Sequence, residues 1–228
     1  MKTTTCTRLP RLSFVLAGLV VMAASVMPIG ASAAPALKAP VKVLGLSLSD
    51  IKHAVGSGFK QTLAKGMDKN TVALSGTTAS QKKVFDLHGF ESGYLTTFGR
   101  IKPTSFKNGK VTVVKGVSSA SSLVFSFKDS SGPNWAFSYA STAVAKAFKA
   151  IKSMKFHLKG QSGLGDKALL MTTSTAISPT FGSVSTTTFI WRRGSYLAEV
   201  ALGAYGSVSM SQALGLAKLV DSRIDHFG

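Results

Sequence analysis

Cysteine is nearly absent from this chain: Cys6 is the only one, and it lies close to the N-terminus. It precedes the first apolar run, which is the wrong context for a lipoprotein cysteine, and it falls in a segment that we expect to be removed on export. The chain that remains therefore has no cysteine to supply a disulfide, a thiolate nucleophile or a cysteine-based metal site.

Acidic residues are also scarce, with nine Asp and Glu against 27 Lys and Arg, for a net charge of +18. They stand singly, and the nearest pair, Asp221 and Asp225, is expected on the solvent face of the last helix. The four histidines are scattered at no spacing typical of a metal site, and no serine stands in a Gly-x-Ser-x-Gly elbow. The sequence predicts no cofactor, no metal and no enzymatic activity. A hydrolase is an alternative only if distant segments assemble its site in the fold.

Long apolar runs are confined to the N-terminus. Three basic residues and no acid precede an apolar run over residues 12–27, and Ala31 and Ala33 are the small residues that signal peptidase accepts. The run is shorter than the roughly 20 residues of a membrane span, so the pattern predicts a secretory signal peptide over 1–33, cleaved before Ala34. Without its three basic residues, 24 basic and nine acidic residues remain, a net charge of +15. We expect a secreted, periplasmic or envelope-associated protein.

The segment after the predicted cleavage site is rich in proline and alanine. Residues 34–42 are expected to form a flexible leader. The chain left after cleavage is long enough to bury one ordinary hydrophobic core without disulfides. Residues 43–228 are therefore predicted to form a single domain.

From Asp86 onward the chain twice shows three strand-like segments followed by a helix. This order, with short connections, favours an antiparallel sheet over parallel βαβ units. The predicted fold class is α+β, a twisted antiparallel sheet with two main helices packed on it, and two β-β-β-α repeats are one interpretation. The predicted strands are FESGYLTTFGRI (90–101), KVTVVKGV (110–117), SSLVFSF (121–127), KALLMTTST (167–175), SVSTTTFIW (183–191) and SYLAEVAL (195–202), with TVALSG (71–76) as a further candidate.

Two longer helices are predicted. Pro133 suits the first turn of one, and Ser209 with Gln212 matches a capping box at the start of the other. A shorter helix, capped by Ser49 or Asp50, is predicted before them. Each long helix has a single apolar stripe, which should lie against the sheet. The first stripe comprises Phe137, Ala140, Val144, Ala147, Phe148, Ile151 and Met154, and the second Met210, Ala213, Leu214, Ala217, Val220 and Ile224.

The stretch FIWRRGSYLAEVAL (189–202) is predicted to be a β-hairpin that reverses at Gly194. Arg192 and Arg193 stand at its tip, where they are either its polar end or a hook for an anionic partner. The nearby KGQSGLGDKAL (159–169) does not match a phosphate loop, because Asp166 rather than Lys follows its last glycine. We interpret it as a helix-to-strand loop in which Asp166 caps the turn or faces a ligand.

Lys146, Lys149 and Lys152 recur at every third residue, opposite the apolar stripe of the first long helix. With Arg192 and Arg193 they are the candidate anion-binding residues, although a solvated helix face has the same pattern. The candidate partner is an anionic polymer of the cell envelope or a membrane surface. Nucleic acid is not expected, because no known nucleic-acid docking motif is visible and DNA is not the natural partner of an exported protein.

Phe90, Tyr94 and Phe98 recur at intervals of four, with Gly93 between the first two. In a strand Tyr94 and Phe98 share one sheet face, which favours core packing. The alternative is a ligand cleft in which Phe90 and Tyr94 form an aromatic wall and Asp166 supplies a carboxylate.

The C-terminal third resembles a known group of proteins. Its order of LGDKAL, FIWRRGSYLAEVAL and a helix ALGLAKLVDSRI, over roughly residues 160–226, is similar to exported envelope proteins of actinobacterial type. That group includes mycobacterial sensor-like and lipoprotein domains with an α+β, PsbP-like sandwich. The resemblance implies an α+β fold and a ligand-binding or accessory role at the envelope, and it identifies no functional residue.

These features together favour an exported, non-enzymatic domain that binds a ligand or an anionic envelope component. A purely structural or interaction protein fits the same features, and an exposed apolar patch would favour that alternative.

Overall fold

The computed structural model of the protein describes residues 40–68, 79–101, 104–107, 110–178 and 182–228. The predicted signal peptide, most of the predicted leader and the candidate strand TVALSG lie outside these ranges. Val41, which the sequence placed in the leader, is buried in the core. The packed domain therefore includes residues before 43.

Nine strands occur in the described residues: β1 (Phe59–Met67), β2 (Phe90–Arg100), β3 (Thr104–Lys107), β4 (Lys110–Val113), β5 (Gly116–Phe127), β6 (Met154–Gln161), β7 (Lys167–Ser178), β8 (Gly182–Arg193) and β9 (Tyr196–Tyr205). Seven of them form one antiparallel sheet in the order β1-β2-β5-β9-β8-β7-β6, and β3 pairs with β4 in a separate small sheet. Because β4 lies outside the main sheet, the first predicted block does not supply three adjacent strands.

The helices of the described chain are α1 (Val41–Leu44), α2 (Leu48–Val55), α3 (Ala79–Leu87), α4 (Ser131–Tyr139), α5 (Ala145–Lys149) and α6 (Met210–Phe227), with a π-helical turn, Ala140–Val144, between α4 and α5. They pack on an antiparallel sheet that makes up most of the fold, so the predicted α+β class is confirmed.

Two hydrophobic clusters cover opposite faces of the sheet. Phe189 and Trp191 belong to one cluster and Ile190 to the other, since successive side chains of a strand point to opposite faces. The first cluster includes residues of α1, α2 and α6, and we call this side the α6 face. The second includes residues of α3 and α4, and we call it the α4 face. The sheet is thus covered by helices on both sides.

The short helix α2 begins one turn earlier than the sequence predicted. Its N-cap is Ser47, whose side chain accepts a hydrogen bond from the backbone N–H of Asp50, and Asp50 in return accepts one from the backbone of Ser47. Asp50 is therefore the third residue of a capping box, and neither Ser49 nor Asp50 is the cap.

The first long helix departs from the predicted stripe after Ala140. Phe137, Ala140 and Phe148 are buried as expected, but the π-helical turn inserts an extra residue, and beyond it Ala145 is buried while Ala147 of the predicted stripe is exposed. The helix then ends at Lys149. Ile151 lies in an exposed turn and Met154 opens β6, so neither continues the stripe.

The last helix follows the prediction closely. Ser209 is its N-cap and accepts a hydrogen bond from the backbone N–H of Gln212, which is one half of the predicted capping box. The Gln212 side chain donates instead to the carbonyl of Ala54. Two members of the predicted stripe are exceptions, because Met210 is 42% exposed and Leu214 is only partly buried. The buried residues are Ala213, Leu216, Ala217, Val220, Asp221 and Ile224.

Both edge strands of the sheet were missed in the sequence. β1 and β6 carry polar residues at about half of their positions, and their burial patterns show few buried residues. Because Lys159–Gln161 belongs to β6, the glycine-rich segment joins two strands and is not a helix-to-strand loop.

Candidate functional site

The β8–β9 hairpin places Arg193 beside the C-terminal half of α6. Gly194, at φ +53°, makes the reversal as predicted. Arg193 donates from Nε to Asp221 Oδ1 at 2.8 Å, from Nη2 to Asp221 Oδ2 at 2.7 Å, and from Nη1 to Asp225 Oδ1 at 2.6 Å. A guanidinium that meets one carboxylate at two points is a strong, directional contact.

Asp221 is buried, which corrects its predicted place on the solvent face of the helix. Besides Arg193 it binds the backbone N–H of Gly165, which donates to Oδ2 at 3.0 Å. Burial alone would raise the pKa of this carboxyl, but the hydrogen bonds and charge of Arg193 and the hydrogen bond from the Gly165 amide bring it below its ordinary value. Asp221 is therefore a carboxylate that joins the hairpin, the glycine-rich loop and α6.

Asp166, in the glycine-rich loop, also binds the tip of the β8–β9 hairpin. Its Oδ2 accepts hydrogen bonds from the backbone N–H of Gly194 at 2.9 Å and from Arg192 Nη1 at 3.2 Å. Its own backbone N–H donates to the carbonyl of Arg192 at 2.8 Å. Asp166 thus caps the turn of the β8–β9 hairpin, whereas the sequence had suggested that it caps the turn of its own loop or faces a ligand.

The remaining arginines of the described chain are also engaged internally. Arg223 donates to Asp50 at 2.9 Å and to the carbonyl of Gly45 at 2.7 Å. Arg100 donates to the carbonyl of Val117 at 2.9 Å. Arg192 and Arg193 likewise bind acids of the protein itself, and a role for the pair in binding an external anion stays a prediction.

The residues proposed for a ligand cleft do not assemble into one. Phe90 is fully buried on the α4 face, in edge-to-face contact with Phe85, Phe125 and Phe127. Tyr94 packs against the cluster of the opposite α6 face, together with Phe98. Phe90 and Tyr94 therefore lie on opposite faces of the sheet, and each packs against the hydrophobic cluster of its own face.

Lysines gather along the edge of the sheet formed by β6, and we call this set the lysine edge. All its members are exposed, and none forms an ion pair with an acidic residue in the part of the chain that the structure describes. Two lie on α5, one in the following turn and two on β6. They are Lys146, Lys149, Lys152, Lys155 and Lys159.

The packing of α5 explains why these lysines lie at one edge. Phe148 of α5 stacks on Phe156 of β6, with ring centroids 5.5 Å apart and planes 4° from parallel. This contact belongs to a small apolar cluster that also includes Met171. It fixes α5 beside β6 and leaves the lysines of both elements in solvent.

A buried acid on the α4 face was not recognised in the sequence. Glu199 lies in β9 between Leu123 of β5 and Ile190 of β8, and it is 5% exposed. Burial raises the pKa of its carboxyl to about 8, so the group is mostly protonated at neutral pH. Its Oε2 has no hydrogen-bond partner among the described residues. The signal in the sequence was its position within an otherwise apolar strand.

The histidines have no acidic partner among the described residues. His88 stacks on Trp135 at 4.2 Å, and burial lowers the pKa of its imidazole. His226 contacts the carbonyl of Ser222. The described residues include no group of three His, Cys, Asp or Glu side chains that could hold a metal ion. None of the helices described is both long and apolar enough to cross a membrane.

Comparison with known proteins relates this chain to others by fold alone. No protein-family model matches the sequence, and no curated protein matches it. The crystal structure of the extracellular domain of PknH from Mycobacterium tuberculosis is similar, with a TM-score of 0.52 and 10% sequence identity, over 82% of this chain and 95% of that one. The likeness is to an extracellular domain of a mycobacterial protein, which agrees at the level of fold with the resemblance in the C-terminal third.

Proposed function

We propose that this protein is an exported, non-enzymatic domain that binds an anionic polymer of the cell envelope through the lysine edge. The observation that carries the proposal is the set of five exposed lysines at one edge of the sheet, without acidic partners among the described residues. Export is supported by the N-terminal sequence, with its basic start, apolar run and small residues before Ala34.

The distribution of charge favours lysine as the binding residue. Each described arginine is bound to the protein itself, and four of the acids serve as arginine partners. An excess of positive charge is therefore left on lysine side chains, which are long and present a mobile point charge to solvent. The acids in these ion pairs are Asp50, Asp166, Asp221 and Asp225.

The spacing of the lysine edge suits a chain of repeated negative charges. Lys146 and Lys149 are one helical turn apart, with Cβ atoms about 5–6 Å from each other. Lys155 and Lys159 lie four strand residues apart, about 13 Å. Lys152 lies between the two pairs in sequence. Several groups of an extended polyanion could bind at once and release counterions, which makes such binding steeply dependent on salt.

Lysine on an edge strand also has a purely structural use, because it discourages pairing with the edge of another sheet. That use accounts for Lys155 and Lys159 on β6. It does not account for Lys146 and Lys149, which lie on a helix. The opposite edge strand, β1, carries only Lys60 and Lys65, so protection of an edge alone does not require the larger set.

The test compares two triple substitutions with the same change in net charge. Lys146, Lys149 and Lys152 are replaced by Gln in one variant, and three exposed lysines near the opposite edge, Lys52, Lys60 and Lys65, in the other. Retention on immobilised teichoic acid is measured against salt, with heparin as a second polyanion. We expect the first variant to elute at clearly lower salt and to show a shallower salt dependence, and the control to elute near the wild type.

Equal losses in the two variants would show that retention follows net charge alone, and the proposal would then fail. Vesicles containing phosphatidylglycerol provide the other comparison. The protein could bind these vesicles more strongly than teichoic acid and lose that binding in the first triple variant. This result would assign the lysine edge to a membrane surface and overturn the proposal that it binds a polymer.

A further inference from the structure

A groove lies on the α6 face, between the first turn of α6 and the outer two strands of the sheet. Its volume is about 330 Å³, and it is lined by His157 and Lys159 of β6, Leu170 and Thr172 of β7, and Met210 of α6. This size is near the lower end of the roughly 300–1,000 Å³ typical of small-molecule sites. We call it the α6 groove.

One side of the α6 groove offers hydrogen-bond donors and positive charge. His157 and Lys159 lie two residues apart on β6, so both side chains point to the α6 face, about 7 Å from each other. Thr172 is the cross-strand partner of His157 and adds a hydroxyl. A lysine ammonium, an imidazole and a hydroxyl can together donate to the three terminal oxygens of a phosphate ester.

The other side of the groove is apolar. Leu170, the cross-strand partner of Lys159, is 2% exposed and belongs to the core cluster of this face. Met210 is 42% exposed, although the pattern of the helix predicts it to be buried. Its unbranched thioether side chain can adapt to an apolar ligand placed beside it.

We propose that the α6 groove binds a phosphate ester that carries a short alkyl chain. The phosphate is placed against Lys159, His157 and Thr172, and the alkyl chain lies along Leu170 and Met210. Among the described residues that line the groove none is acidic, so the charge of this lining is complementary to a phosphate. This inference rests on the lining of the groove. Lys159 belongs to both the groove and the lysine edge, whereas Lys146, Lys149 and Lys152 are not among the residues that line the groove.

The test is titration of the purified protein with hexyl phosphate, followed by calorimetry and by amide chemical shifts. Inorganic phosphate and hexanol are titrated separately. Lys159→Gln removes the charge and Met210→Ser removes the apolar wall. Each has a matched control outside the groove: Lys155→Gln, on the same strand and face, and Leu219→Ser, a partly exposed apolar residue of the same helix.

We expect hexyl phosphate to bind more tightly than inorganic phosphate or hexanol. Lys159→Gln should weaken the binding of hexyl phosphate about tenfold, and Met210→Ser should weaken it about threefold or more. Both control variants should bind it within about twofold of the wild type. Circular dichroism and the thermal midpoint establish that the variants are folded. The proposal is overturned if hexyl phosphate does not bind at millimolar concentration, if inorganic phosphate binds equally well, or if the controls weaken binding as much as the groove variants.

The two proposals can fail separately. The triple substitution of Lys146, Lys149 and Lys152 should leave the affinity for hexyl phosphate unchanged, and Met210→Ser should leave retention on teichoic acid unchanged. Loss of polymer retention in the triple variant, with unchanged binding of hexyl phosphate, would therefore agree with two sites that act separately.

Discussion

Arg193 and Asp221 form a two-point ion pair between the tip of the β8–β9 hairpin and the last helix, with donor–acceptor distances of 2.8 and 2.7 Å. The two residues are 28 positions apart in sequence, and Asp221 is buried. Removal of the arginine would leave the carboxylate in the interior with the Gly165 amide. A buried charge that loses its partner is strongly destabilising.

Arg193→Gln is therefore expected to lower the free energy of unfolding by about 2 kcal/mol at neutral pH, less than for a fully buried pair because Arg193 is partly exposed. The measurement is urea unfolding. Arg192→Gln is the control, since it removes the same charge from the adjacent residue, whose ion pair with Asp166 is exposed to solvent. Its cost should be below about 1 kcal/mol. Equal losses from the two substitutions would contradict a special role of Arg193.

The pH dependence of this pair has a definite sign. The folded pKa of Asp221 is lowered from 3.8, so the pair's contribution is present above that value and is lost as the pH falls through the lower folded pKa. The stability difference between wild type and Arg193→Gln should consequently narrow in acid, below about pH 4. If this difference in stability stayed constant from pH 7 to pH 2, it would contradict the lowered pKa of Asp221 as the source of the pH dependence.

Glu199→Gln is expected to stabilise the protein at neutral pH. The folded pKa of Glu199 is raised from 4.5 to about 8, so its contribution is fully favourable below pH 4.5 and is lost progressively up to about pH 8. At pH 7 the loss is on the order of 3 kcal/mol, from 1.36 kcal/mol per unit. Gln keeps the shape of the neutral acid and does not ionise, so the variant should gain that amount at pH 7 and match the wild type near pH 4.

The control for Glu199→Gln is Asp86→Asn, which makes the same change in net charge at an exposed position. It should leave the pH dependence of stability unchanged. Thermal midpoints measured from pH 4 to pH 9 make the comparison. A wild-type curve as flat as that of Glu199→Gln over this range would show that the carboxyl ionises freely in the folded state.

The elements that could be predicted from sequence are those whose information is local. The capping residue Ser209 and the reversal at Gly194 follow from side-chain and backbone preferences at single positions. The α6 stripe follows from an uninterrupted period. The partners of Arg193 could not be predicted, because they depend on how a hairpin and a helix from separate segments are placed. The edge strand β6 was missed because its lysines resemble a solvated helix face.

The π-helical turn is a further feature that the period of apolar residues cannot show. Ala145 and Ala147 have the same side chain, yet Ala145 is buried and Ala147 is exposed. Ala145→Asp is expected to lower the free energy of unfolding by about 3 kcal/mol, because it buries a charge. Ala147→Asp should change it by less than about 0.5 kcal/mol. Chemical denaturation of both variants checks the register, and a larger cost at Ala147 would mean that the helix is regular.

Gly165 of the glycine-rich loop lies against the β8–β9 hairpin. Its φ is +48°, and a Cβ there would collide with the carbonyl oxygen of Arg192 and lie 2.8 Å from Trp191 Cδ1. Gly163 has φ +77° but nothing within 4 Å of its Cβ position. A substitution at either glycine therefore places a side chain on a left-handed backbone, but only a substitution at Gly165 also produces a steric collision.

Gly163→Ala should lower the free energy of unfolding by about 1 kcal/mol, the cost of placing a side chain at positive φ. Gly165→Ala should lower it by about 3 kcal/mol, since a shift of the loop would also strain the Gly165 amide that binds Asp221. The additional loss should shrink when it is measured in the Arg193→Gln background, because residues of one network are not additive. Full additivity of the two substitutions would mean that the loop and the ion pair act independently.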